Sequence, residues 1–217
     1  VASMWTQQAA PEALAFRLFG VSDFAARLPS WLAALATLWL VFRLARGWYG
    51  TRVAMRTVLI HSSLALVYVA SGAVLTDPFL VLGTTWVMTA LALVRQESHW
   101  YWRYGFFLGL VLGLLAKGPL VLVLVGLSLL TWLLQADGRA GLRALPWWRG
   151  VPLILVLTLP WYIAAEVKTP GFLHYFLVGE HFLRFVDAGW AGDLYGSALL
   201  LMRGTIWLYW FLATFPW

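Results

Sequence analysis

Residues 118–135 read GPLVLVLVGLSLLTWLLQ, with no charged side chain among them. As a helix this run would reach about 27 Å, close to the hydrocarbon thickness of a bilayer. It is not an isolated case. The chain of 217 residues is 62% hydrophobic and only 11% charged, whereas a soluble domain carries about 25% charged residues. That supply cannot cover a water-facing surface, so the composition excludes a soluble protein. It points to an all-α, multi-pass transmembrane helical bundle, and the 15 Trp suit membrane–water interfaces.

Seven apolar segments are expected to span, at about 29–45, 53–75, 78–94, 100–116, 118–135, 151–167 and 199–215. Ahead of the first, Pro11 to Phe24 reads as an amphipathic interfacial stretch carrying Leu14, Phe16, Leu18 and Phe19. The linkers after spans one, three and five hold nine basic residues (Arg43, Arg46, Arg52, Arg56, Arg95, Arg103, Arg139, Arg143 and Arg149) and two acids, Glu97 and Asp137. These linkers are expected to be cytoplasmic, and the alternation holds across all seven segments. Glu97 and His99 then read as solvated linker, and the aromatic run at 100–102 as an interfacial belt. The net charge of +6 reflects these linkers. No basic run or aromatic-interleaved patch points to nucleic acid. With no cysteine there is no disulfide, iron–sulfur or thiolate zinc site.

Chemistry is expected on the opposite face. Asp77, followed by Pro78, marks a reversal with almost no loop. Asp77 reads either as a helix cap or as a carboxylate able to take a proton or bind a metal ion or sugar hydroxyl. Lys117, in LLAKGPL, reads either as a snorkelling side chain at a Gly–Pro break or as a fixed cation for a phosphate. The loop at 168–198 is the richest segment. A surface helix over 172–185 would put His174 and His181 on one face with Arg184 beyond them, and an anion site from His181 and Arg184 suits it better than zinc. Glu180 reads as a partner for Arg184, and Arg203 as a cation entering the last span.

Five stretches in order, FRLFGVSDFAARLPS, VLTDPFL, LLAKGPLVL, LPWYIAAEVKTPGFLHYFLVGEHFLRF and GDLYGSALLLMRGTIWLYWFLATFPW, resemble the bacterial polyprenyl-phosphate-sugar-dependent glycosyltransferases. That group includes the aminoarabinose transferases acting on lipid A and is related to protein O-mannosyltransferases. The resemblance implies a GT-C membrane fold in the bacterial inner membrane, with its active site facing the periplasm or cell exterior. It also implies a polyprenyl-phosphate sugar donor, a lipid or protein acceptor, surrounding membrane lipids and inverting displacement at the anomeric carbon. A divalent metal ion is compatible with such a site. By the same resemblance Asp77 is the catalytic acidic residue. Lys117, His181 and Arg184 lie near the carrier phosphate, and Glu180, Tyr195 and Arg203 are further site candidates. The pattern departs from the family before FRLFG, where WTQQAAPEALA replaces a loop of acids and a Lys–Pro–Pro stretch, and at Ala198–Leu199, where the family has Ala–His. Both ends read as cut, so one incomplete transmembrane domain over 1–217 is expected, inactive alone. A non-catalytic carrier-binding relative and a transporter are the alternatives. The lack of paired interrupted spans argues against transport.

Overall fold

A computed structural model describes residues 5–97, 99–134, 136–183, 186 and 204–217. They form helices and their connections: α1 (Trp5–Phe19), α2 (Asp23–Tyr49), α3 (Thr51–Ser63), α4 (Ala65–Gly72), α5 (Asp77–Leu93), α6 (Trp100–Lys117), α7 (Leu120–Leu133), α8 (Ala136–Arg143) and α9 (Trp147–Lys168). A short turn α10 (Phe172–His174) comes next and runs on as a π-helix over Tyr175–Leu183; α11 is Thr205–Thr214.

A helix overlies each of the seven predicted segments, but not each is a span by length and composition. Among the described residues two helices, α2 and α9, are long and apolar enough to cross a membrane; α3 and α4 make a third only if counted together, and they are bent by 66°. Helices α5, α7 and α11 are apolar but shorter, and α6 opens with polar aromatics and Arg103. The expected interfacial stretch is also divided. Gly20 at φ +77° ends α1, and the Ser22 side chain caps α2 by accepting from the Ala25 N–H at 3.2 Å. The Pro11 to Phe19 half of that stretch lies in α1, where Leu14, Leu18 and Phe19 remain exposed. Its Leu14, Leu18 and Phe19 line a cleft of about 380 Å³ with Leu32 of α2, Phe79 of α5 and Leu112 of α6.

Helices α5 and α6 form the centre as an antiparallel hairpin, and glycines let their backbones touch. A Cβ on Gly83 would lie 2.7 Å from the Gly109 carbonyl oxygen and 2.9 Å from the Gly113 nitrogen. Gly109 and Gly113 are one helical turn apart, the small-residue spacing that brings membrane helices close. Around this contact Val87, Leu93, Trp102, Phe106, Phe107 and Val121 are fully buried. The outer faces stay apolar: Leu122, Leu127 and Leu130 of α7 and Val156, Leu159 and Ile163 of α9 are exposed. Such faces suit lipid rather than water, because the helical backbone is satisfied internally.

The hairpin has two distinct ends. At the α5–α6 turn, Glu97 is not solvated linker. Its carboxylate accepts from Arg43 of α2 at 2.7 and 2.6 Å and from the Trp102 indole N–H at 2.7 Å. Trp102 is 1% exposed and stacks on Trp39, so of the aromatic run only Trp100 is an exposed belt residue. The Trp102 hydrogen bond, with Arg43 and Tyr101 helping, holds the Glu97 carboxyl below its usual range against the opposing effect of burial. The linker acid closes α2 onto the hairpin because the indole leaves its donor with no other partner in the core. The other end of the hairpin carries Asp77 and Lys117.

Candidate active site at the Asp77–Lys117 end

Asp77 opens α5 and Lys117 closes α6, so the antiparallel pairing brings them together. Lys117 Nζ lies 3.3 Å from Asp77 Oδ1, with the side chains 37% and 50% exposed. The N-cap position of α5 belongs to Thr76, which is buried, and no side chain caps the helix. Asp77 is therefore not the helix cap. It sits in the first turn, where the helix dipole favours a carboxylate, and Pro78 comes next, where a missing N–H costs little. Lys117 is likewise held by a partner.

The end of α6 is tied down by side chains from later in the chain. Tyr162 of α9 donates its hydroxyl to the Leu114 carbonyl at 2.8 Å. His181 of the π-helix places Nε2 2.9 Å from the Lys117 carbonyl oxygen and Nδ1 2.6 Å from that of Phe176. These contacts answer part of what a helix terminus always leaves open, its last carbonyls. Carbonyl oxygens only accept, so the imidazolium form alone donates from both ring nitrogens. The His181 ring stands edge-on to Phe176 at 5.0 Å, and Phe176 stacks on Phe172 at 5.3 Å.

Gly118 makes the approach possible. Its φ is +63°, and a Cβ there would lie 2.5 Å from the Phe176 ring and 3.3 Å from His181. The Lys–Gly–Pro break is thus both a positive-φ turn open to glycine and a seat for an aromatic ring.

Asp77, Lys117 and His181 come together at this end of α6, Asp77 through the Lys117 side chain and His181 through its backbone carbonyl. His174 does not: it is exposed at the end of α10, because the change to π-winding at Tyr175 breaks the seven-residue helical spacing that would have aligned it with His181. The Glu180 carboxylate receives the Tyr175 hydroxyl five residues earlier. Arg184, Tyr195 and Arg203 lie outside the described residues. Among the described residues no three His, Asp or Glu side chains gather to hold a metal ion. Sequence reasoning missed Tyr162 and Glu166, which share a face of α9 at i and i+4; their hydrogen-bonding groups in an apolar helix were the available signal.

The family of dolichyl-phosphate-mannose-protein mannosyltransferases matches residues 10–163, and the chain belongs to it. Undecaprenyl phosphate-alpha-4-amino-4-deoxy-L-arabinose arabinosyl transferases are among its relatives. That of Edwardsiella ictaluri is 32% identical over 175 residues, which cover 78% of this chain and 32% of that protein. That of Enterobacter sp. (strain 638) is 30% identical over 189 residues, with the same coverage. The crystal structure of ArnT from Cupriavidus metallidurans bound to undecaprenyl phosphate superposes with a TM-score of 0.74 at 26% identity, over 84% of this chain and 34% of that one. The apo structure of the same protein gives 0.73 at 25% identity, over 81% and 34%. The chain thus spans about a third of the length of these relatives.

Proposed function

We propose that this chain is part of a membrane glycosyltransferase that moves a sugar from a polyprenyl phosphate to an acceptor on the outer side of a bacterial inner membrane. The observation that carries the reading is the Asp77–Lys117 pair, 3.3 Å apart at one end of the α5–α6 hairpin with His181 against the same helix terminus. Its family membership and its likeness to a protein crystallised with undecaprenyl phosphate support the choice of donor.

In this reading an acceptor oxygen attacks the anomeric carbon as the bond to the carrier phosphate breaks, and the configuration inverts. Negative charge grows on the departing phosphate, and Lys117, with His181 and Arg184, stabilises it. The arriving phosphate competes with Asp77 for the lysine ammonium. That frees the carboxylate to orient the acceptor hydroxyl and take its proton. Glu180, Tyr195 and Arg203 are the further candidates, and their part is to shape the site around the sugar. The apolar cleft leading from Phe79 and Leu112 offers room for the first isoprene units, so the carrier lies between helices while its phosphate reaches the boundary. The acceptor is lipid A, another glycolipid or a protein. The seven apolar helical segments all cross the membrane, with the Arg43–Glu97 end cytoplasmic by its excess of arginine.

The test is transfer from a polyprenyl-phosphate-linked sugar by the full-length protein in membranes. Asp77→Asn should lower turnover by about 10²–10³-fold, and Lys117→Ala should raise the apparent KM for the donor. Normal turnover in Asp77→Asn would remove the carboxylate from the mechanism, and normal donor affinity in Lys117→Ala would remove the lysine from the phosphate site.

A further inference from the structure

The turn between α9 and α10 is closed by a carboxylate from the wrong side. Helix α9 ends at Lys168, the chain reverses, and Gly171 at φ +87° takes the N-cap position of α10. A glycine has no side chain to satisfy the free N–H groups of a starting helix. Glu166 supplies the acceptors from the preceding helix. Its Oε1 accepts from the Gly171 N–H at 2.8 Å and its Oε2 from the Leu173 N–H at 2.7 Å. Both oxygens are engaged, and a carboxylate at this helix end is also favoured by the dipole.

The clasp matters because of the segment it anchors. The π-helix beyond the turn carries Phe176 and His181 inward, and both are seated against the end of α6. The fit there has no slack, since a single methyl on Gly118 would collide with Phe176. One turn earlier on the same face of α9, Tyr162 grips the Leu114 carbonyl of α6. Helix α9 therefore holds the terminus of α6 with one side chain and the entry of the His181 segment with another. π-Helical turns of this kind commonly accompany functional sites.

We infer that Glu166 is a positioning residue: by clasping the Gly171–Leu173 turn it fixes His181 against the α6 terminus beside the Asp77–Lys117 pair. The role in turnover rests on the glycosyltransferase reading above; the clasp itself does not. Glu166 touches no reacting atom, so its effect must pass through His181.

Full-length protein in lipid nanodiscs, labelled with ¹⁵N-histidine, provides a readout that does not need activity. The His181 ring signals, assigned by their loss in His181→Asn, should shift in Glu166→Ala. They should shift less in Glu166→Gln, whose amide keeps one acceptor but sets a donor against the second N–H. In the transfer assay Glu166→Ala should lower kcat/KM for the polyprenyl-phosphate donor by about 10- to 100-fold, the scale of a misplacement of about 1 Å. In a His181→Ala background the same substitution should cost less than about threefold, since residues acting in series are not additive. Unmoved His181 signals in both variants would overturn the clasp, as would full additivity with His181→Ala. If Glu166→Ala does not fold, Glu166→Gln alone decides by the same two readings. Shifted signals in a protein whose wild type transfers no sugar would uphold the clasp and refute the glycosyltransferase reading instead.

Discussion

The Lys117 ammonium, on the last residue of α6, lies 3.3 Å from the Asp77 carboxylate on the first residue of α5. The pair is about half open to solvent, and ion pairs near the surface add only about 0–1 kcal/mol to stability. In the proposed reading its meaning is catalytic, not structural. Asp77→Asn and Lys117→Ala should therefore each change thermal stability by less than about 1 kcal/mol while transfer collapses. Melting curves run beside the donor assay would separate the two effects. A large fall in Tm with proportionate loss of activity would make the pair structural.

Gly118 is under two constraints at once. Its φ of +63° disfavours any side chain, and a Cβ would sit 2.5 Å from the Phe176 ring. Gly118→Ala should destabilise the protein by about 2–4 kcal/mol, from positive-φ strain together with overpacking. Chemical or thermal unfolding in detergent measures this. Phe176→Leu in the same chain should recover part of the loss, because it clears the space but not the strain.

Tyr162→Phe tests the other grip on α6. The Leu114 carbonyl also accepts from the Gly118 N–H at 2.9 Å, so removing the hydroxyl leaves it paired. The expected cost is about 0.5–1.5 kcal/mol, that of one net hydrogen bond. A shift in Tm read against wild type is sufficient, and a loss well above that range would mean that the hydroxyl has a second partner.

Acid should loosen the opposite end of the hairpin. The Trp102 N–H, with Arg43, lowers the Glu97 pKa from its ordinary 4.5. A carboxyl lowered on folding contributes stability that is fully present above its unfolded value and is lost as pH falls through the folded one. The stability advantage of wild type over Glu97→Gln should hold steady near neutrality and shrink as pH drops below about 4.5. Paired melting curves across that window check it. A difference that grows toward low pH would reverse the assigned sign.

The readable and unreadable parts of the molecule divide along physical lines. Apolar run lengths and charge scarcity located a helix on each expected segment, since lipid forces the backbone to satisfy itself locally. The span count was less legible. The 66° bend between α3 and α4 arises from the extended backbone at Leu64, which no proline or glycine marks. Glu97 read as linker because its partners, Arg43 and the buried Trp102 indole, meet it only after α2 packs on the hairpin. His174 read as a companion of His181 because the change to π-winding at Tyr175 has no signature in residue spacing.

One dimension was enough to establish an all-helical membrane-type bundle and to group Asp77, Lys117 and His181. Apolar run length and motif order are local properties, legible without any packing. Packing was needed to show that Asp77 pairs with Lys117 instead of capping its helix, and that Tyr162 and Glu166 brace the end of α6 and the His181 segment. Those contacts depend on how closely α5, α6 and α9 approach. That approach is set by Gly83, Gly109 and Gly150 meeting atoms far away in the chain, which no local pattern encodes.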